Sequence, residues 1–257
     1  MADLLFQSEN FVSSRSNLPT ISNLDDLLPS LEYEAYGHWL FGGDSSSLID
    51  VVNGRLLSLQ SGATIQPVYA AKSVTLSLTN GNALVSDLVD SSDQSVTLCA
   101  VVKCSSTALS ILLGNLVRSD STLSSGLGGF ASAGKAYLTL KAITGTGGAG
   151  IGSLTPAASI TQTDNFFIAI SVNKVTKKGI IYAKQMGVES SNEATYGAPS
   201  YDAALNKFGI GNVAYTGVAG SATYNEAIIF NKALTLEEIM SVAERSKGRM
   251  RNRGIVF

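Results

Sequence analysis

Between residues 33 and 230 the chain is broken into short β-prone runs by turn residues, and this punctuation constrains the fold more than any other feature. The runs cover residues 35–41, 55–59, 74–78, 96–103, 110–116, 128–133, 137–143, 166–173, 179–186, 207–210 and 223–230. Gly42-Gly43-Asp44, Asn53-Gly54, Asn80-Gly81-Asn82, Lys177-Lys178-Gly179 and Gly211-Asn212 separate them. Glycine and asparagine tolerate the positive φ that tight turns require. Many short strands with no alternating helices exclude βαβ units and imply a sandwich or barrel. The run at 166–172 is almost wholly apolar, as expected of a central strand covered on both faces.

One helix is expected, and it comes last. Thr235-Leu236-Glu237-Glu238 has the form of a capping box, followed by an apolar stripe of Leu236, Ile239, Met240 and Ala243. Glu237 and Glu238 suit the positive end of the helix dipole, and Arg245 and Lys247 the negative end, with Gly248 as the stop. The organisation is therefore an extended N-terminal arm (1–30), a β-domain (31–248) and a basic, apolar tail (249–257). The arm carries Leu4, Leu5, Phe6 and Phe11 without helix or strand period. The tail sets Arg249, Arg251 and Arg253 at alternate positions, which in an extended chain project from one side, and ends in Phe257. These eight residues are the expected assembly contacts. The rival reading is that both ends fold back onto their own domain.

Composition narrows the setting. Apolar residues make up 45% and charged residues 15%, the reverse of a disordered chain. The net charge of −2 provides no basic field for nucleic acid. Asp3 stands where a signal peptide needs a basic region, and no apolar run reaches the ~20 residues of a membrane span. Cys99 and Cys104, five apart in one strand, point to opposite faces and are expected to be free buried thiols. Trp39 and Phe41, two apart, should enter the core together, leaving His38 on the surface. The lesser reading of Trp39 is a platform for a sugar ring.

The residues Tyr224-Asn-Glu-Ala-Ile-Ile-Phe230-Asn-Lys-Ala-Leu234-Thr-Leu-Glu-Glu238-Ile resemble the closing motif of concanavalin A-like, LamG-type jelly rolls. Phe167–Val172 with Gly179–Gly187 is similar to a hairpin of that family, and His38–Gly43 with Ile49-Asp50 and Asn53-Gly54 to its opening strand. Val96–Val102 corresponds to a further strand without its Trp. The resemblance implies an all-β fold: an antiparallel β-sandwich of the jelly-roll type with one C-terminal helix. Domains of this layout resemble those of tailed-bacteriophage particles. A non-enzymatic structural virion protein (tail, fibre or capsid-decorating subunit) is thus the expectation, assembled in the host cytoplasm with copies of itself and other virion proteins. The alternative is a glycan-binding module recognising host surface carbohydrate. A hydrolase is disfavoured, since the paired-carboxylate strand motif of laminarinase-type relatives is absent and Gly-x-Ser-x-Gly is missing.

No cofactor is expected. Domains of this type often hold Ca²⁺, and Asp44, Asp50, Asn53, Asp87, Asp90 and Asp93 could supply the hard oxygens that ion needs. Their spacing matches no motif, so none is assigned as a ligand. The acid clusters Asp25-Asp26, Asp87/Asp90/Asp93 and Glu237-Glu238 read as linker, loop and helix cap.

Overall fold

The structure, a computed structural model, describes residues 31–119, 122–143, 154–196 and 200–257. Two antiparallel sheets face each other. The larger has eight strands: β1 (Gly37–Leu40), β3 (Val68–Ala70), β4 (Ser73–Ser77), β6 (Val96–Cys104), β13 (Phe166–Asn173), β14 (Lys178–Gln185), β15 (Val188–Thr195) and β19 (Ser221–Phe230). Its order is β15-β14-β13-β6-β19-β4-β3, with β1 paired to the second half of β19. The smaller has six strands: β2 (Ser58–Leu59), β5 (Leu84–Val89), β7 (Ser110–Gly114), β10 (Leu127–Ser132), β11 (Lys135–Leu140) and β17 (Lys207–Ile210), ordered β11-β10-β7-β17-β5-β2. Short pairings at the margins involve β12 (Ala142–Ile143) with β16 (Ser200–Tyr201), and β8 (Val117–Ser119) with β9 (Thr122–Ser125) and β18 (Ala214–Tyr215). One α-helix, α1 (Leu236–Asn252), closes the chain.

Period-two alternation builds two cores from the same strands. Leu98, Ala100, Val102 and Cys104 of β6 and Phe166, Ile168, Ile170 and Val172 of β13 point between the sheets, with Trp39 and Phe41. Cys99, Val101, Phe167 and Ala169 point the other way, against α1. So the expectation for residues 166–172 holds: that strand is buried on both faces because one face meets the second sheet and the other meets α1. Gly37 is required beside Trp39, since a Cβ there would lie 2.3 Å from the indole ring.

Three expectations are corrected. The helix runs through Gly248, whose cost of roughly 1 kcal/mol is offset because Arg249 and Met250 beyond it are buried. It stops at Gly254 (φ 71°) in a Schellman motif, with Ile255 N–H donating to the Met250 carbonyl and Gly254 N–H to that of Arg251. The apolar stripe is Ile239, Val242, Ala243 and Met250, while Met240 is 40% exposed. Asp87 lies in a strand, β5, not in a loop. Two longer strands had no sequence-based expectation, β5 and β15; β15 (VESSNEAT) is an edge strand with no apolar period.

Candidate functional site

Buried polar residues take up most of the chemistry that the sequence offered. His38, expected at the surface, is fully buried on the α1 side of β1. Its Nδ1 accepts from the Glu32 N–H (3.2 Å), which leaves Nε2 to donate to Glu226 Oε1 at 2.8 Å. Glu226 also takes Arg249 Nε at 2.6 Å and the Ser246 hydroxyl. Glu32 receives Arg249 Nη1 (2.9 Å) and a forked contact from Arg245 (2.9 and 2.6 Å). Two carboxylates and two guanidinium groups thus lock the start of the domain to α1. A β-bulge between Tyr224 and Glu226 makes this possible: it shifts the parity of β19, so Glu226 faces α1 and not the apolar space between the sheets. Burial pushes the Glu226 carboxyl up, but Arg249, His38 and Ser246 outweigh it and hold it down at about 2.

A second network ties the two sheets together. Asp90, after β5, accepts from Lys174 Nζ (2.6 Å), Asn115 (2.9 Å), Tyr201 OH (2.7 Å) and Ala204 N–H (2.9 Å). Lys174 follows β13 and lies over the Tyr201 ring at 4.3 Å. Asp50 is equally occupied, by the N–H groups of His38, Val52, Asn53 and Arg55. Asp44 caps a short 3-10 turn (Ser45–Leu48), Asp93 accepts from Ser91, and the Asn53 amide donates to the Ala35 and Tyr36 carbonyls. Among the described residues no three His, Cys, Asp or Glu side chains converge as metal ligands would.

The tail is not extended, which removes the premise that set its arginines on one side. Arg249 is buried in the ion-pair network, and Arg253 donates to the carbonyls of Asn225 (2.9 Å), Phe41 and Lys72. Phe257 is buried and stacks on Phe167 at a ring separation of 6.1 Å. Arg251 lies on the exposed side of α1. The chain itself therefore covers Arg249, Arg253 and Phe257, and the tail is part of the domain. Leu4, Leu5, Phe6 and Phe11 fall outside the described residues. Trp39 is fully buried, which removes it as a sugar platform.

Among the polar groupings of the described residues that stay open to solvent, alongside the Lys178–Glu193, Lys232–Glu34 and Arg118–Tyr215 pairs, one brings three side chains together. Tyr36, just before β1, donates its hydroxyl to Asp87 Oδ1 at 2.7 Å. Arg55 places its guanidinium over the Tyr36 ring, 3.9 Å from the centroid, and reaches Asp87 Oδ2 at 3.1 Å. The Arg55 side chain is 38% and that of Asp87 59% exposed. Pairing of β2 with β5 brings Arg55 past Asp87, and the exposed aliphatic residues Ile49, Val51 and Leu56 lie on the adjoining segments. Burial and Asp87 push the Tyr36 phenol up to about 12. Partial burial raises the Asp87 carboxyl, but Tyr36 and Arg55 outweigh it and hold it below its ordinary range. Sequence reading singled out Asp87 as an oxygen donor for Ca²⁺ and as part of a loop acid cluster, and missed Tyr36 and Arg55. The period-two pattern Leu84, Ser86, Leu88 was the available signal that Asp87 points outward.

Two hollows flank the first turns of α1. One, of about 530 Å³, lies between α1 and residues 31–34; the other, of about 340 Å³, lies over β13, β14 and β15. Among the described residues no helix is long and apolar enough to cross a membrane.

No family model matches the sequence, and no curated protein does. Solved structures do. The receptor binding domain of botulinum neurotoxin D superposes with a TM-score of 0.56 at 14% identity, over 83% of this chain and 53% of that one. The serotype D ligand binding domain in complex with N-acetylneuraminic acid gives 0.55 and 14%, over 82% and 51%. The chain is a β-sandwich of that architecture. A Trypanosoma rangeli sialidase gives 0.56 and 12%, over 87% of this chain and 33% of the sialidase. This chain thus spans about half of the toxin domains and a third of the sialidase, and at these identities the likeness is one of fold.

Proposed function

We propose that this chain is a glycan-binding module that acts without catalysis and without a cofactor. The observation that carries the reading is the exposed Tyr36–Arg55–Asp87 constellation. A carboxylate and a guanidinium held side by side by a phenol can exchange hydrogen bonds with neighbouring sugar hydroxyls, and charge-assisted bonds of this kind are the stronger ones. Ile49, Val51 and Leu56 are exposed on the adjoining segments, and we assign them as apolar surface for the C–H face of a pyranose ring. The fold supports the same reading, because one superposing domain is a ligand binding domain holding N-acetylneuraminic acid. Three acidic residues that hydrolysis could draw on have other tasks: Asp90 holds Lys174, Asp50 holds a turn, and Glu238 closes the capping box of α1. The virion setting rests on the sequence resemblance, and no contact in the structure adds to it.

A glycan array probed with the full chain tests the proposal. Binding should appear on a restricted set of glycans and fall at least tenfold in Asp87→Ala and in Arg55→Ala. Both side chains are substantially exposed, so both variants should keep the wild-type circular dichroism spectrum. No glycan bound, or binding unchanged in both variants, rejects it.

A further inference from the structure

The larger hollow beside α1 has a different character from the Tyr36 site. Its floor is apolar, made by Phe230, Leu234 and Val242, and Tyr33 on its rim is 67% exposed. Its charged lining is unbalanced: Glu32, Glu34, Glu237 and Glu238 face only Lys232 and Arg245. Those two cations are already paired, Lys232 with Glu34 at 2.7 Å and Arg245 with Glu32, so Glu237 and Glu238 hold the surplus negative charge. The hollow therefore suits a short apolar segment followed by a cation.

The chain carries such a segment and delivers it to this place. Leu31, the first described residue, itself lines the hollow, so the thirty preceding residues join the domain at its rim. Within those thirty residues Arg15 is the one basic residue, and Phe11-Val12 precede it by a few positions. The fifteen residues between Arg15 and Leu31 span up to about 50 Å when extended, ample for a return to their own point of attachment. A segment tethered so near its target acts at an effective concentration on the order of millimolar, which favours it over a free competitor.

We propose that the hollow between residues 31–34 and α1 is the docking site for residues 11–15 of the same chain. Phe11 and Val12 fill the apolar floor, and Arg15 meets the carboxylates of Glu237 and Glu238. This assigns the arm to its own domain and is independent of the glycan site, none of whose three residues lines this hollow.

Cross-linking in the full chain tests it. Ser241, exposed at the hollow, is changed to cysteine together with Val12→Cys, and oxidation is followed on non-reducing gels. Cys99 and Cys104 are buried and do not compete. A control chain pairs Val12→Cys with Val175→Cys, an exposed site on the β13–β14 turn. An intramolecular disulfide forming at least tenfold faster in the Ser241 pair than in the control, and slowed by Arg15→Glu, is the expected result. A disulfide-linked dimer would mean that a second copy's arm occupies the hollow and overturns the proposal. Equal rates in the two pairs, with no effect of Arg15→Glu, would also overturn it by leaving the hollow without this occupant.

Discussion

Glu226 shows how one side chain sets the terms for its surroundings. It is fully buried, yet its carboxyl titrates at about 2, against 4.5 for the unperturbed group. A carboxyl held low in the folded state stabilises the fold above its unfolded value. That contribution, about 3 kcal/mol from the size of the shift, is lost as the pH falls from about 4.5 to about 2. Urea titrations at pH 7 and pH 3 should therefore differ, and the difference should shrink in Glu226→Gln. That variant should also be less stable at pH 7 by about 3–5 kcal/mol, because Arg249 keeps its burial and loses its counter-charge. Glu226 stands in the closing motif, but strand period alone does not reveal its role. Its parity along β19 points it between the sheets unless the bulge at Tyr224–Glu226 is known, and a one-residue shift turns a side chain to the other face.

At the scale of elements, α1 is held by packing more than by its own propensity. Ile239 is fully buried while its neighbour Met240 is 40% exposed. Ile239→Ala should cost about 2–5 kcal/mol in chemical denaturation, and Met240→Ala under about 0.5. Equal costs would mean that the helix is rotated from the position described. The capping box at Thr235 was legible because its pattern is local: Thr235 accepts from Glu238 N–H, and Glu238 accepts from Thr235 N–H at 2.7 Å. The helix end was not legible, since Gly248 and Gly254 look alike as letters. What separates them is the burial of Arg249 and Met250, a tertiary fact. The same distinction runs through the strands. Residues 166–173 carried enough apolar residues to be found with their boundaries, whereas β15 exists through its pairing with β14, from Lys178↔Thr195 to Gln185↔Val188. The Tyr36–Arg55–Asp87 site is of the second kind: its members come from three segments that only the sheet brings together.

For the molecule as a whole, the two cores are joined through one sheet but close separately. The last residues belong to the outer core, where Ile255 and Phe257 pack with Phe167, Met250 and Val242. Deleting residues 255–257 should lower the thermal midpoint by several degrees, in line with the loss of a buried aromatic anchor from a domain of this size. An unchanged midpoint would return the tail to the status of a free appendage. The two cysteines stand one in each core, Cys99 under α1 and Cys104 between the sheets, and burial pushes both thiols up and away from reactivity. They are two clocks in one strand. A thiol reagent can reach Cys99 once α1 lifts away, whereas Cys104 must wait until the sheets part. Their modification rates time two different openings of a single molecule, without any label having to be introduced.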